Sequence, residues 1–241
     1  MAGLVVAVFN WLFYDHYSPL PEGWFSVYAD LIRKGQLPYR DVYFFLPPLY
    51  PLFITAVQAV LGPQMIMLRL VGVGLILFST GVLYQILRSC FEPIVALIAT
   101  VAGIVYFQSG VAHIAYDFFQ LMTLAALLAC LGLIRFDRAL EEKRGVARLA
   151  GWAALTGFCA AVALFTKQSN GLLIAAACAV AVMLAGFRGG RAWAVRGLLW
   201  FSVGFGGVAG GLGVWLCAHG SLTACLAMIS GGAAAAKGGV R

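Results

Sequence analysis

The fold is decided by stretches such as residues 170–187, which read NGLLIAAACAVAVMLAGF and contain no Asp, Glu, Lys, Arg or His. As a helix this stretch is about 27 Å long, close to the thickness of a bilayer's hydrocarbon core. Similar apolar segments lie at about 1–14, 48–62, 64–87, 92–112, 118–134, 149–166 and 193–217. We therefore predict an all-α fold, a polytopic transmembrane helical bundle of about seven to eight membrane segments.

Composition supports the same class. The chain has 241 residues, 63% of them hydrophobic and 10% charged, whereas a soluble domain of this length needs more charge to cover its surface. The net charge of +7 comes from basic residues in short loops, which indicates membrane topology rather than nucleic-acid binding. Glycine runs such as 204–207 are typical of close helix packing in lipid. The six cysteines lack metal-ligand spacing, and only Cys217 and Cys225 are candidates for a disulfide.

The basic residues predict the orientation of the segments. Two loops, 135–148 and 188–196, carry five and three Lys or Arg residues, and the positive-inside rule places both in the cytoplasm. Counting crossings from these loops places the 88–92 turn in the cytoplasm as well. The same count makes three turns, 62–64, 113–117 and 166–170, and the tail from about residue 218 extracytoplasmic.

Segment 48–62 raises a problem of parity. If segment 1–14 crosses outward, segment 48–62 cannot also cross and still leave the 62–64 turn outside. It spans only about 22 Å as a helix, and Pro47, Pro48 and Pro51 prevent a helix from entering it from upstream. We expect this segment to enter only the outer leaflet. The alternative is a full crossing, with the basic-residue rule failing once.

The longest polar insert is the first extracytoplasmic loop, residues 15–47. It gathers four of the nine acidic residues, namely Asp15, Glu22, Asp30 and Asp41. Residues 24–34 are amphipathic and predict a short interfacial helix within the loop. Glu22 is then either a capping acid at the start of this helix or a functional carboxylate at the bilayer surface.

Several cations also allow two interpretations. Arg40 either pairs with Asp41 or, like Lys34, binds an anion such as a lipid phosphate. Arg69 lies only a turn or two inside an apolar segment, where an arginine is costly unless it is paired or reaches the surface. Lys167, followed by Gln168, ends a span at the outer face, where it is either functional or extends its amine to the surface.

Sequence motifs for a cofactor or metal are absent. No P-loop or dinucleotide fingerprint occurs. His113 and Asp117 are four residues apart and share one face if their turn is helical, but two ligands are too few for a metal site. We therefore predict no metal ligands and expect this pair to make simple hydrogen bonds.

The loop motifs carry a family resemblance. Pro-Glu-Gly-Trp (21–24), Gly-Gln-Leu-Pro-Tyr-Arg-Asp-Val (35–42) and Pro-Pro-Leu-Tyr (47–50) resemble the first extracytoplasmic loop of GT-C glycosyltransferases. The similar branch is that of bacterial relatives of the dolichyl-phosphate-mannose protein mannosyltransferases and of the lipid A aminoarabinose transferase. Arg69, Leu-Phe-Thr-Lys-Gln (164–168) and Ala-Lys-Gly-Gly (236–239) fit the same branch. The resemblance implies that residues 1–241 form one transmembrane module, the N-terminal part of a longer family member.

The resemblance implies a function. Such a protein would lie in the bacterial inner membrane and transfer a sugar with inversion, outside the cytoplasm, from a polyprenyl-phosphate donor to a lipid, glycan or protein acceptor. Pro21 stands where the family places an aspartate and Glu22 where a second acid follows, so both Glu22 and Asp15 remain candidate bases. The implied cations for the donor phosphate are Lys34, Arg40, Arg69 and Lys167, and the other site candidates are Asp41, His113, Asp117 and Gln168. Some family members use a divalent cation, for which this sequence shows no site.

Two rival interpretations remain open from the sequence. One is a transporter or flippase-like bundle in which the charged residues line a substrate path. Such proteins are built from two related halves with paired broken helices, whereas this chain has one Pro-interrupted segment and no internal repeat. The other is a non-catalytic fragment that lacks acceptor contacts. The single Pro-interrupted segment and the lack of an internal repeat favour the enzyme over the transporter.

Overall fold

The computed structural model describes residues 3, 4, 8, 23–44, 46–110 and 118–237. It describes their side chains as well, except at 107–110, 118 and 230–237. Within these ranges the chain forms nine helices longer than a single turn and no β-sheet, so the all-α prediction is confirmed. The helices are α1 (Trp24–Arg33), α2 (Leu49–Leu61), α3 (Met65–Arg88), α4 (Pro93–Gly110), α5 (Phe118–Glu141), α6 (Val146–Thr166), α7 (Gln168–Arg188), α8 (Arg191–Ala218) and α9 (Leu222–Lys237).

Five of these helices, α3 and α5 to α8, are long and apolar enough to cross a membrane. The described parts of α2 and α4 are apolar but shorter. The predicted segments therefore reappear as helices, although fewer of them than expected have the length of a full span. Most of segment 1–14 lies outside the described residues. Helix α9 was missed, because the residues after about 218 were interpreted as a tail.

Short turns join the spans and fix their order. Helices α7 and α8 are separated only by Gly189 and Gly190, and Gly190 has a φ of 106°, which favours glycine. Helices α6 and α7 are separated by Lys167 alone, whose extended backbone (φ −151°) breaks the helix. Because such turns leave no room for a long connection, consecutive spans run antiparallel.

One end of the bundle carries the basic loops, and we call it the basic end: residues 88–92, 135–148 and 188–196. Arg188 Nη1 lies 2.9 Å from Asp137 Oδ2, which joins the end of α7 to the end of α5. Arg138 Nη2 donates to the Ser89 carbonyl at 3.2 Å, which joins α5 to the turn after α3. The three segments predicted to share one side of the membrane therefore lie together.

The opposite end, the loop end, is organised by a hydrophobic cluster. This loop cluster comprises Phe25, Ala29, Tyr39, Phe44, Leu46, Tyr50, Ile54, Leu68, Leu216 and Cys225. Its members come from α1, the loop after it, α2, the start of α3, the end of α8 and the start of α9. Leu121, near the start of α5, also packs against it. The first loop is therefore held against the ends of several spans.

Helix α2 begins and ends in contact with the loop end. Its first turns place Tyr50 and Ile54 in the loop cluster, and near its end Gln58 Nε2 lies 3.2 Å from Ser26 Oγ of α1. Met65, the first residue of α3, packs against the same cluster. This arrangement favours the expectation that segment 48–62 returns to the side from which it started.

Close helix packing in the core depends on particular glycines. A Cβ added at Gly157 of α6 would overlap the Phe201 carbonyl oxygen, and one added at Gly204 of α8 would overlap the Ala154 carbonyl oxygen. By contrast, a Cβ at Gly206 or Gly207 would meet nothing within 4 Å. The packing role expected of the glycine run therefore holds for Gly204 but not for Gly206 or Gly207.

The cysteine residues are all free thiols. Cys225 is buried in the loop cluster, whereas Cys217 is exposed, so the candidate disulfide between them is not formed. The helical turn between α8 and α9 separates the two side chains into different environments.

Candidate functional site

The turn that follows α1 is anchored by Tyr39. The Tyr39 backbone adopts a φ of 71°, and its N–H donates to the Val42 carbonyl at 2.9 Å. Its side chain is 2% exposed, and its hydroxyl donates to the Leu46 carbonyl. Burial raises the pKa of the Tyr39 phenol, with a smaller contribution from Cys225, so the phenol stays neutral. Tyr39 therefore fixes the loop through its backbone and its hydroxyl.

Arg40 and Asp41 pair with each other. Arg40 Nε lies 3.0 Å from Asp41 Oδ1, and Arg40 Nη2 lies 3.2 Å from Asp41 Oδ2. The Leu37 N–H also donates to Asp41 Oδ2, at 2.9 Å. The hydrogen bonds from Arg40, and then that from Leu37, hold the pKa of Asp41 below its usual value, and the same pair raises the pKa of Arg40. Of the two interpretations of Arg40, the pair with Asp41 is the one observed.

Lys34 also has a carboxylate partner. Its ammonium group forms an ion pair with Asp30, one helical turn earlier in the chain. Both side chains are largely exposed, at 66% and 48%. The i, i+4 spacing of an acid before a lysine is visible in the sequence, so this partner could have been found there. Lys34 and Arg40 thus lie on the loop surface, each beside an acid.

Arg69 and Lys167 are placed differently, on the spans themselves. Arg69 follows Leu68, which is fully buried in the loop cluster, and is itself partly buried at the start of α3. Lys167 is partly buried at the break between α6 and α7, with Nζ 4.2 Å from the centre of the Phe119 ring. Gln168, also partly buried, begins α7. Phe119 lies two residues before Leu121 of the loop end, so all three residues belong to that end.

Four predicted site residues are not placed. The candidate bases Asp15 and Glu22 and the site candidates His113 and Asp117 lie outside the described residues. Their assignment as site residues therefore stays a prediction from the sequence. The structure does describe residues 23–44 of the loop, which follow Glu22 directly in the chain.

Gln58 makes a polar contact that was not predicted from the sequence. It is 1% exposed within the apolar helix α2, and its amide contacts Ser26 of α1. A single amide in an otherwise apolar helix is a signal for such a contact, because a buried amide needs a partner. Gln58 therefore helps to hold α1 and α2 together under the loop.

The described residues contain no cluster of side chains typical of a metal site. Among those residues, no three His, Cys, Asp or Glu side chains converge as a bound metal ion would require. Asp30 and Asp41, the described acids of the loop, each contact a basic side chain instead.

Comparison with known proteins gives one positive result. A sequence model for the family described as dolichyl-phosphate-mannose-protein mannosyltransferase matches residues 46–230. The match covers well over half of the chain, from the end of the loop into α9, and it includes Arg69 and Lys167. Neither the curated proteins nor the solved structures contain a significant match. Because residues 1–45 lie outside the match, it is independent of the loop motifs around Glu22 and Arg40.

Proposed function

The chain belongs to the dolichyl-phosphate-mannose-protein mannosyltransferase family, and from that premise we propose that it moves a sugar from a polyprenyl-phosphate donor to an acceptor outside the cytoplasm. It is a multi-pass membrane glycosyltransferase of the GT-C type, as the family match and the apolar helices indicate. The match over residues 46–230 is the observation that carries the proposal. The acceptor we expect is a lipid, a glycan or a protein.

The loop end is the proposed site of transfer. It combines an ordered surface loop with the ends of spans, so a donor with its tail in the bilayer can present its phosphate there. We propose that this end faces the outside of a bacterial inner membrane, since the basic loops lie at the other end. The packing of Leu68, Leu216 and Cys225 against the loop supports a site that is preorganised rather than formed by a free loop.

The proposed reaction is a single displacement with inversion. The acceptor hydroxyl oxygen bonds to the anomeric carbon as the bond from that carbon to the phosphate oxygen breaks. The electron pair of the broken bond stays on the polyprenyl phosphate, and the proton of the hydroxyl passes to a carboxylate. Glu22 and Asp15 are the proposed alternatives for that carboxylate, with Asp41 disfavoured because it already accepts bonds from Arg40 and Leu37.

Arg69 and Lys167 are the proposed contacts for the donor phosphate. A cation stabilises the charge that develops on a leaving phosphate, and it does so more strongly where water is partly excluded. Both residues are partly buried on the spans, whereas Lys34 and Arg40 are exposed and lie beside acids. We therefore rank Arg69 and Lys167 above the two loop cations, with Gln168 as an additional hydrogen-bonding group.

The first experiment measures sugar release from a panel of polyprenyl-phosphate sugars by the purified protein in lipid. We expect one donor to be used by the wild type. Either Glu22→Gln or Asp15→Asn should then lower transfer by about 10²- to 10⁴-fold, because a general base contributes that much. No transfer from any donor by the folded full-length protein would contradict the proposal.

A second experiment tests the cations with the donor identified in the first. Arg69→Gln and Lys167→Gln should each lower transfer by about 10²-fold, the usual cost of losing one group that stabilises developing charge. Arg135→Gln removes an exposed cation from the basic end and should leave transfer within about threefold. Equal losses in all three variants would contradict a specific role for Arg69 and Lys167.

A further inference from the structure

The basic end contains an open pocket of about 430 Å³ between α5, α6, α7 and α8, remote from the loop end. Three cationic side chains, Lys143, Arg144 and Arg188, line it. Leu140, Leu149, Gly189 and Trp193 complete the lining. The pocket is thus both basic and apolar, at a level where the spans end.

The charges of the pocket leave a small positive excess. Arg188 is bound to both carboxylate oxygens of Asp137, at 3.1 and 2.9 Å, and Arg144 lies 2.7 Å from Glu142. In the described part of the chain, Lys143 has no comparable carboxylate partner. Three cations line the pocket, and the two carboxylates neutralise two of them, so the lining favours an anionic ligand.

The position of Lys143 is set by its turn. Its backbone has a φ of 49°, and its N–H donates to the Leu140 carbonyl at 3.1 Å. The next N–H, that of Arg144, donates to the Ala139 carbonyl at 2.9 Å. The two cations are therefore presented by a closed turn at the end of α5, so little backbone ordering is needed when an anion binds.

A small crevice of about 10 Å³ adjoins the pocket between α6 and α8. The two share Leu149 and Trp193, and the crevice is also lined by Phe136, Gly197 and Trp200 and by Arg196, which lies over the Trp193 ring at 5.3 Å. At its outer edge the Val146 and Trp200 side chains are 51% and 42% exposed on the surface of two candidate spans. A ligand that occupies the pocket and also contacts this exposed apolar surface has an anionic head and an apolar tail.

We propose that this pocket binds the phosphodiester head group of an anionic phospholipid, with an acyl chain against the exposed apolar surface of α6 and α8 at Val146 and Trp200. The charge, the exposed apolar surface and the position at the ends of the spans match the chemistry of such a lipid. The site is separate from the proposed transferase site and does not depend on it. A bound lipid joins the α5–α6 turn to the α7–α8 turn and so stabilises the basic end.

The test titrates the purified full chain, in mild detergent, with phosphatidylglycerol or with phosphatidylcholine of the same acyl chains, and counts bound lipids by native mass spectrometry. We expect phosphatidylglycerol to bind about tenfold more tightly. Lys143→Gln combined with Arg144→Gln should weaken phosphatidylglycerol binding by about tenfold or more, since each cation near an anionic lipid contributes measurably. The matched control, Arg88→Gln with Arg135→Gln, removes two exposed cations from the same end outside the pocket and should change binding by less than about threefold.

A second variant fills the pocket without changing its charge. A Cβ at Gly189 would lie 3.2 Å from both Leu140 Cδ2 and Trp193 Cδ1, so Gly189→Leu places its side chain into the pocket. Gly189→Leu should also weaken phosphatidylglycerol binding by about tenfold or more, provided that its unfolding temperature matches that of the wild type. Three results would overturn the proposal: equal binding of the two lipids, equal losses in the pocket and control variants, or displacement of the lipid by inorganic phosphate at the same concentration.

Discussion

At the scale of single residues, the loop contains contacts between residues close enough in the chain to be predicted from the sequence. Arg40 and Asp41 are neighbours in the chain, so their pairing was one of two stated alternatives. The ion pair of Lys34 with Asp30 follows from a spacing of four residues on one helix. Tyr39 is different, because its partners Leu46 and Cys225 are brought to it by the fold.

Tyr39→Phe tests the anchor of the loop. The change removes the hydroxyl that donates to the buried Leu46 carbonyl, and a buried acceptor without a partner costs about 1–3 kcal/mol. We expect thermal unfolding of the purified protein to shift to lower temperature. Tyr43→Phe is the matched control, because the Tyr43 side chain is 62% exposed and only its backbone carbonyl accepts a bond from Tyr28. Equal shifts in the two variants would contradict the anchoring role.

At the scale of helices, the sequence locates the elements but not how closely they approach. The bounds of most predicted apolar segments agree with those of an observed helix to within three residues, because hydropathy and turn residues are local properties. Gly157 and Gly204 show what the pattern leaves open. Of the many glycines in α6 and α8, these two lie where another helix backbone is too close for a Cβ.

Gly204→Ala tests this close approach. Its methyl group would overlap the Ala154 carbonyl of α6, and because backbone cannot move aside cheaply, we expect unfolding to become easier by about 1–3 kcal/mol or more. Gly207→Ala lies on the same helix with open space around the new methyl group. There the better helix propensity of alanine should leave stability unchanged or raise it by up to about 1 kcal/mol. The measurement is the free energy of unfolding in detergent. An equal decrease in Gly204→Ala and Gly207→Ala would refute the packing argument.

At the scale of the whole molecule, the bundle has two chemically different ends. The basic end is joined by Arg138 and Arg188, and the loop end by the loop cluster. The charge pattern of the sequence predicted which loops share an end, because excess positive charge marks one side of a membrane. Contacts at both ends of α2 support the prediction, made from its short length and its prolines, that it does not cross fully.

Single cysteines on a background without the native cysteines test this arrangement in whole cells. Gln36→Cys, Gln64→Cys and Ser169→Cys are at exposed positions of the loop end and should all react with a membrane-impermeant reagent from outside. Gly145→Cys, exposed at the basic end, should react only after permeabilisation. Labelling of Gln64→Cys from the opposite side to Gln36→Cys would show that α2 crosses fully. Outside labelling of Gly145→Cys would reverse the proposed orientation.

The sequence by itself determined the helical class, most helix positions, the grouping of the basic loops and the residues that resemble a glycosyltransferase loop. It does so because a helix in lipid must satisfy its own backbone hydrogen bonds, so an apolar segment of sufficient length has few other structures available. Only the tertiary structure decided that Tyr39 meets the start of α9, that Cys217 and Cys225 stay apart, and that two basic turns line one pocket. These features join residues far apart in the chain, and such contacts depend on how the surfaces of whole helices fit together, which local composition does not specify.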